Sequence, residues 1–158
     1  MKRIRALVRS TAVALAVLAP ALTQAADYRV TAEQPTILYD GPSAKAKPLF
    51  LYGRDVPLEL IVAVEGWAKV RDPQGAIGWV DRRTLGDRRM LVVRAPVAEV
   101  RTNPDETAPV AFRAERDVLL EINEPAASPS TTSAPGWVRV RHRDGASGFV
   151  RISQVFGL

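Results

Sequence analysis

The sequence predicts an all-β fold in which one small unit occurs twice, and three observations support this prediction. Short runs of alternating apolar and polar residues are separated by Gly, Pro, Asp and Asn, which is typical of small barrels and sandwiches. No stretch after residue 25 shows the sustained apolar stripe of a helix. The segment 66–80 returns 70 positions later as 136–150, which indicates two tandem small domains.

The first half of the unit repeats with a different offset. Residues from Leu38 to Leu60 recur 62 positions later, whereas the second half recurs after 70 positions. The two offsets differ by eight residues, so copy two carries an insertion of that length between Ile122 and Gly136. The segment 124–135 is rich in Pro, Ala, Ser and Thr, which predicts a flexible surface loop.

The predicted strands follow from alternation and from the turn residues between them. Asp and Gly in 72–75 and in 143–145 supply the positive φ values that a tight hairpin requires. Gly78 and Gly148 fall inside the returning strands, where a glycine marks a sharp bend or a close approach of another backbone. The predicted strands are 29–31, 57–64, 67–70, 76–80, 90–93, 118–122, 137–140 and 147–150.

Residues 1–25 have the layout of a secretory signal peptide. Four basic residues precede a short apolar run at 11–22, and cleavage is expected after Ala25. The run is shorter than the ~20 apolar residues that a membrane span requires. The chain has no cysteine for lipid attachment, so we expect no stable membrane anchor. The expected mature protein is periplasmic or secreted, with copy one at 27–88 and copy two at 89–158.

The charge balance argues against nucleic acid as a partner. The chain holds 22 basic and 17 acidic residues, for a net charge of +5. The segment 1–25 contains four of the basic residues and none of the acidic ones, so the remainder has 18 against 17. A nucleic-acid-binding domain requires a basic surface or a clustered basic stripe. The overall balance does not supply one.

The sequence contains no constellation that predicts catalysis, a metal site or a cofactor. His142 is the only histidine and the chain has no cysteine, so a zinc site would depend on carboxylates. No serine lies in a nucleophile elbow. We therefore interpret His142 as an exposed turn residue, and we expect no enzyme activity, no catalytic residue, no bound metal and no cofactor.

Both copies resemble the bacterial SH3 domain, a small five-stranded barrel. The resemblance covers nearly all of 28–158 and depends on three motifs: the stretch 38–43, Gly-Trp-x-x-Val-Arg, and Gly-x-x-Gly followed by Trp or Phe and Val. It implies that 40–55 and 102–117 are the long first loops of the two barrels. The expected architecture is thus two tandem small SH3-like five-stranded barrels after a cleaved signal peptide.

The resemblance also implies where a ligand groove would lie. In eukaryotic relatives an aromatic groove binds proline-rich segments. Tyr39, Trp67 and Trp79 fall where groove aromatics are expected in copy one. The rest of that groove is replaced, by 81–84 in copy one and by Arg101 at the first aromatic position of copy two. Bacterial members of the family are associated with cell-wall peptides or with adapter roles in the envelope.

Strand alternation in 67–71 and in 137–141 sorts the side chains onto two faces. Val70 and Val140 belong to the barrel interior, which leaves the tryptophans and cations outside. One interpretation is that each tryptophan stacks on a sugar or peptide while the cations pair with carboxylates. The other is that it covers the barrel edge, packed on Lys or Arg stems. The candidate ligand-binding residues are Tyr39, Trp67, Lys69, Arg71, Trp79, Trp137, Arg139, Arg141 and Phe149.

These observations favour a binding function without catalysis. The preferred prediction is a module of the cell envelope that recognises cell-wall peptide or glycopeptide. The alternative is an envelope protein that works as an adapter or scaffold and binds another protein, by means of an open strand edge.

Overall fold

The structure, a computed structural model, describes residues 26–123 and 134–158. The predicted signal peptide and most of the predicted insertion lie outside the described residues. Single 3₁₀ turns occur at Arg82–Thr84 and Ile152–Gln154. In the part of the chain that is described, no helix is long and apolar enough to cross a membrane. The fold is all-β, as predicted.

Copy one forms a seven-stranded antiparallel sheet that curls into a small barrel. The strand order is β3-β2-β6-β5-β4-β1-β7. Its hairpins follow the chain directly, since β2 pairs with β3, β4 with β5, and β5 with β6. The strands are β1 (Asp27–Thr31), β2 (Thr36–Tyr39), β3 (Pro48–Tyr52), β4 (Pro57–Val64), β5 (Trp67–Arg71), β6 (Ile77–Asp81) and β7 (Leu85–Gly86).

Copy two repeats this sheet strand for strand. Its order, β10-β9-β13-β12-β11-β8-β14, is the order of copy one shifted by seven strands. The tandem architecture predicted from the two offsets is confirmed. The strands are β8 (Met90–Val93), β9 (Val97–Arg101), β10 (Val110–Glu115), β11 (Leu119–Ile122), β12 (Trp137–Arg141), β13 (Ser147–Arg151) and β14 (Val155–Phe156).

The long first loops differ from the prediction. β3 lies within 40–55 and β10 lies within 102–117, so each loop is a hairpin whose second arm is a strand. Alternation did not reveal β3 because its sequence, Pro-Leu-Phe-Leu-Tyr, is apolar at every position. Pairing with β2 satisfies the backbone hydrogen bonds along one edge of β3. Each sheet thus has seven strands, two more than the five that the resemblance implies.

The barrel interiors are formed by the valine faces of the central strands. Ala68 and Val70 are buried in copy one, as are Val138 and Val140 in copy two. This confirms the division of β5 and β12 into two faces. Full burial of a valine side chain contributes on the order of 1.5–3 kcal/mol of transfer free energy. These residues therefore hold each curled sheet around its own core.

Gly78 and Gly148 are required by close backbone contacts, as the sequence indicated. A Cβ on Gly78 would lie 2.6 Å from the carbonyl oxygen of Tyr39, and one on Gly148 would lie 2.5 Å from that of Arg101. No side chain fits at either position. The glycines thus let β2 and β9 approach closely to β6 and β13, the strands with which they pair.

The two copies pack on each other. The Tyr28 ring contacts the Phe156 ring edge-on, with centroids 5.2 Å apart. Arg88, between the copies, donates to both carboxylate oxygens of Asp55 in copy one and to Glu121 in copy two, at 2.8, 2.9 and 3.4 Å. The contacts leave a cleft between the barrels.

Candidate functional site

An aromatic face on copy one gathers four of the sequence-predicted residues. We use this name for Tyr39, Trp67, Lys69 and Trp79, all of which are half-buried. Tyr39 of β2 lies opposite Trp79 of β6, and Trp79 lies opposite Lys69 of β5. The Tyr39 and Trp67 rings meet edge-on, with centroids 5.6 Å apart, and the Lys69 Nζ lies 5.9 Å from the Trp79 ring.

A carboxylate marks the end of the aromatic face. Asp81 lies opposite Trp67 in the register of β5 and β6. Its side chain accepts from the backbone N–H of Arg83 at 2.9 Å and so caps the following 3₁₀ turn. The side-chain hydrogen bond from Arg83, together with this backbone bond, holds the pKa of Asp81 below its ordinary value. The face therefore combines aromatic rings, an ammonium group and a fixed carboxylate.

Arg71 lies apart from the aromatic face, although the sequence grouped them. It occupies the far end of β5 from Trp67, where it is exposed. Its guanidinium pairs with Glu59 of β4 at 2.7 Å, directly across the sheet. Strand alternation predicts that Arg71 shares the outer face with Trp67, but it does not take into account that the two residues lie at opposite ends of the strand.

Copy two has no equivalent open tryptophan, since Trp137 is only 6% exposed. The guanidinium of Arg151 lies over the indole, 4.4 Å from the ring centroid. Arg151 also pairs with Glu106 of the first loop, its Nε donating at 2.7 Å. Here the indole is buried under an arginine that is in turn held by the first loop.

The other predicted residues of copy two form no aromatic cluster. Phe149 is half-buried and lies opposite Arg101 of β9 and Arg139 of β12. Arg101 occupies the position that Tyr39 holds in copy one. It donates to the Ala108 carbonyl at 2.6 Å and to Glu99 at 2.7 Å, which binds it to its own loop. Arg139 is exposed beside this arrangement.

Arg141 belongs to a different place, the cleft between the barrels. It pairs with Glu121 at 2.8 Å, which repeats the Arg71–Glu59 pair of copy one. The hydrogen bond from Arg141, followed by that from Arg88, lowers the pKa of Glu121 despite partial burial. The cleft has a volume of about 870 Å³. Sequence reasoning missed it, because the cleft exists only where the two copies meet.

A second feature, which the sequence suggested only as an open strand edge without a position, is the exposed edge of copy one. β3 is an edge strand, and its Leu49, Phe50 and Leu51 are 40%, 55% and 68% exposed. In copy two the equivalent strand carries Arg113 at the position of Leu51. The Phe112 ring is half-buried there and lies against His142, with the two ring centroids 6.2 Å apart. The contrast between the two edges was readable from the aligned repeats.

His142 is half-buried rather than exposed, which corrects the sequence interpretation. It packs on Phe112, and its Nδ1 lies 3.0 Å from a carboxylate oxygen of Asp144. The strand pairing of the first loop brings Phe112 over the turn, and no pattern in the turn itself could indicate this. Across 26–123 and 134–158, no group of three His, Asp or Glu side chains is arranged to hold a metal ion.

The fold and the repeated motifs define a tandem binding module, and a family model agrees. The model of the bacterial SH3 domain matches the chain twice, at residues 32–87 and 94–157. The chain therefore belongs to the bacterial SH3 domain family. Domains of this family are binding modules rather than catalytic domains.

Similar solved structures include two NlpC proteins of Trichomonas vaginalis and an NlpC/P60 family protein of Bacillus cereus. The first is 13% identical to this chain with a TM-score of 0.36, and the match covers 84% of this chain and 48% of the other. The second is 14% identical with a TM-score of 0.35, and the match covers 90% of this chain and 50% of the other. The third is 12% identical with a TM-score of 0.36, and the match covers 82% of this chain and 56% of the other. The chain spans about half the length of these structures. A search of the curated proteins finds no match.

Proposed function

We propose that this chain is a non-catalytic binding protein of the cell envelope that recognises cell-wall peptide or glycopeptide through the aromatic face of copy one. The observation that carries the proposal is the arrangement of Trp79 between Tyr39 and Lys69 on adjacent strands. The predicted signal peptide at 1–25 supports a periplasmic or secreted location.

The chemistry of the aromatic face suits such a ligand. The half-buried rings of Trp67 and Trp79 offer flat apolar surface on which a sugar ring or a peptide can stack. Lys69 supplies a cation for the carboxylates that wall stem peptides carry. Because these side chains stand on three paired strands, their spacing is fixed before a ligand arrives, and less ordering entropy is lost on binding.

Retention on purified sacculi tests the proposal. Trp79→Ala should reduce retention by about tenfold or more, since truncation of an aromatic anchor is among the largest single losses at binding sites. Phe149→Ala is the matched control, because Phe149 holds the equivalent position in copy two. It should leave retention within about twofold. Full retention by Trp79→Ala, or equal loss in both variants, would refute the aromatic face as the site.

The exposed apolar edge of copy one favours a second candidate, an adapter that binds another envelope protein. The outer edge of β3 has no strand partner in the sheet, and such an edge can accept a strand from another protein through backbone hydrogen bonds. Leu51→Arg introduces the residue that copy two already carries at this position. Crosslinking in an envelope fraction should capture a stoichiometric protein with the native chain and lose it with Leu51→Arg. If no such protein is captured by the native chain, the adapter function fails.

A further inference from the structure

We propose that the cleft between the two copies binds the free α-carboxylate at the end of a short peptide. The assignment of that peptide to the cell wall rests on the proposed function. The recognition of the carboxylate rests only on the residues of the cleft. The cleft is separate from the aromatic face, whose four side chains do not line it.

The cleft is lined by both barrels and by the segment between β7 and β8. Copy one contributes Arg54 and Asp55, this segment contributes Arg88, and copy two contributes Arg141 and Arg143. Its volume of about 870 Å³ lies within the range of sites that hold small ligands. Junctions between domains are common places for such sites.

Guanidinium groups outnumber carboxylates around the cleft. Four arginines line it: Arg54, Arg88, Arg141 and Arg143. The carboxylates are those of Asp55, Asp117 and Glu121. The lining groups thus carry one net positive charge. Arg54 also pairs with Glu33 outside the lining at 3.4 Å, so the attraction for an anion is strongest at Arg88, Arg141 and Arg143.

The arginines retain donors that point to solvent. Each guanidinium has five N–H donors. Arg88 and Arg141 remain 49% and 51% exposed although both pair with Glu121. Arg143 makes no ion pair with any residue of the described ranges. A carboxylate matches the planar fork of a guanidinium and can accept two parallel hydrogen bonds.

The apolar lining of the cleft fits the end of a peptide better than a small inorganic anion. Met90, Val118 and Leu119 line it beside the arginines. Met90 is largely buried, while the other two are half-buried. A terminal residue with a small apolar side chain would place its carboxylate on the arginines and its side chain on these three residues.

Copy one supplies a matched control for the arginines. Arg71 pairs with Glu59 in the same register as Arg141 with Glu121, yet Arg71 does not line the cleft. Removing either arginine breaks the same kind of ion pair at the same place in a barrel. Only the loss of Arg141 should affect the ligand.

Met90 provides a local reporter for the test. The chain has two methionines, Met1 and Met90. The full chain is labelled with ¹³C-methyl methionine, and the Met90 signal is identified as the one that disappears in Met90→Leu. This signal is then followed by NMR as peptide is added. The probes are N-acetyl-D-Ala-D-Ala, its C-terminal amide, and N-acetyl-L-Ala-L-Ala, each raised to about 10 mM to detect weak binding.

The proposal expects saturable movement of the Met90 signal with the D,D acid and none with its amide. Arg143→Gln and Arg141→Gln should weaken that binding by about tenfold, as expected when charge-assisted hydrogen bonds are lost, while Arg71→Gln stays within about twofold. Arg143→Gln breaks no ion pair in the described structure, so its fold should be retained.

Three outcomes would overturn the proposal: no movement with any probe, equal movement with the amide, or native affinity in Arg143→Gln. Tighter binding of the L,L acid would overturn the cell wall as the source and assign the site to protein chain ends. Trp79→Ala should keep the Met90 response. A failure of the aromatic face on sacculi can therefore be told apart from a failure of the cleft.

Discussion

The Arg151 guanidinium lies 4.4 Å from the centroid of the Trp137 ring and covers it. In copy one the same two positions hold Asp81 and Trp67, and a carboxylate gives an indole no such cover. Trp67 stays half-exposed. One exchange of a carboxylate for a guanidinium thus distinguishes a buried tryptophan from a half-buried one.

Loss of Arg151 should therefore expose Trp137. In a background with Trp67→Phe and Trp79→Phe, Trp137 is the only remaining tryptophan, since the chain has three. Arg151→Gln should shift its emission to longer wavelength and increase quenching by acrylamide. The free energy of unfolding should fall by about 1 kcal/mol, the size of a partly buried cation–π contact. Unchanged emission and quenching would contradict the cover.

The valine faces should carry the stability of both barrels. Val70→Ala and Val140→Ala each leave a cavity in a fully buried site and should lower the free energy of unfolding by on the order of 1–3 kcal/mol. Arg139→Ala, at an exposed position next to Val140, should change it by less than about 0.5 kcal/mol. Denaturant titration measures all three. If the valine variants match Arg139→Ala, the core is misassigned.

The Tyr52 hydroxyl should stabilise copy one through Asp72. It donates to this buried carboxylate at 2.8 Å, and burial together with that hydrogen bond raises the pKa of Tyr52 above its ordinary value. Tyr52→Phe should cost about 1–2 kcal/mol in the free energy of unfolding, because a charged buried acceptor loses one donor. Asp72 retains the backbone donors of Gln74 and Ala76. Native-like stability in denaturant would show that these two donors suffice.

Glu121 should make stability depend on pH in the acid range. Arg141 and Arg88 lower its pKa in the folded state below the ordinary value of 4.5. Its contribution is therefore fully present above pH 4.5 and is lost as the pH falls through the lower folded-state pKa. Between pH 6 and about pH 3, the native chain should lose more stability than Glu121→Gln. Parallel pH profiles of the two melting temperatures would contradict this assignment.

Much of the fold was predictable because it depends on local patterns. Alternation revealed the interiors at Val70 and Val140, and turn glycines marked the hairpins. The constant offsets identified the second copy. Gly78 and Gly148 were correctly predicted to allow a close approach of another backbone, because a glycine inside a strand often marks such a place.

The candidate site was less predictable, because it depends on contacts between distant residues. The cover on Trp137 comes from Arg151 on the next strand, and alternation alone does not say which neighbour lies over a ring. The cleft depends on Arg88 reaching Asp55 and Glu121, each 33 residues away. Such contacts follow from how the two barrels pack, which no local pattern encodes.

The indole N–H signals of the three tryptophans provide the most direct test of the central claim. Soluble stem-peptide fragments released from cell wall are titrated into the chain while Trp67, Trp79 and Trp137 are followed together by NMR. The account predicts saturable movement of Trp67 and Trp79, with Trp137 unchanged beneath Arg151. Movement of Trp137 alone, or of none of the three, would contradict it.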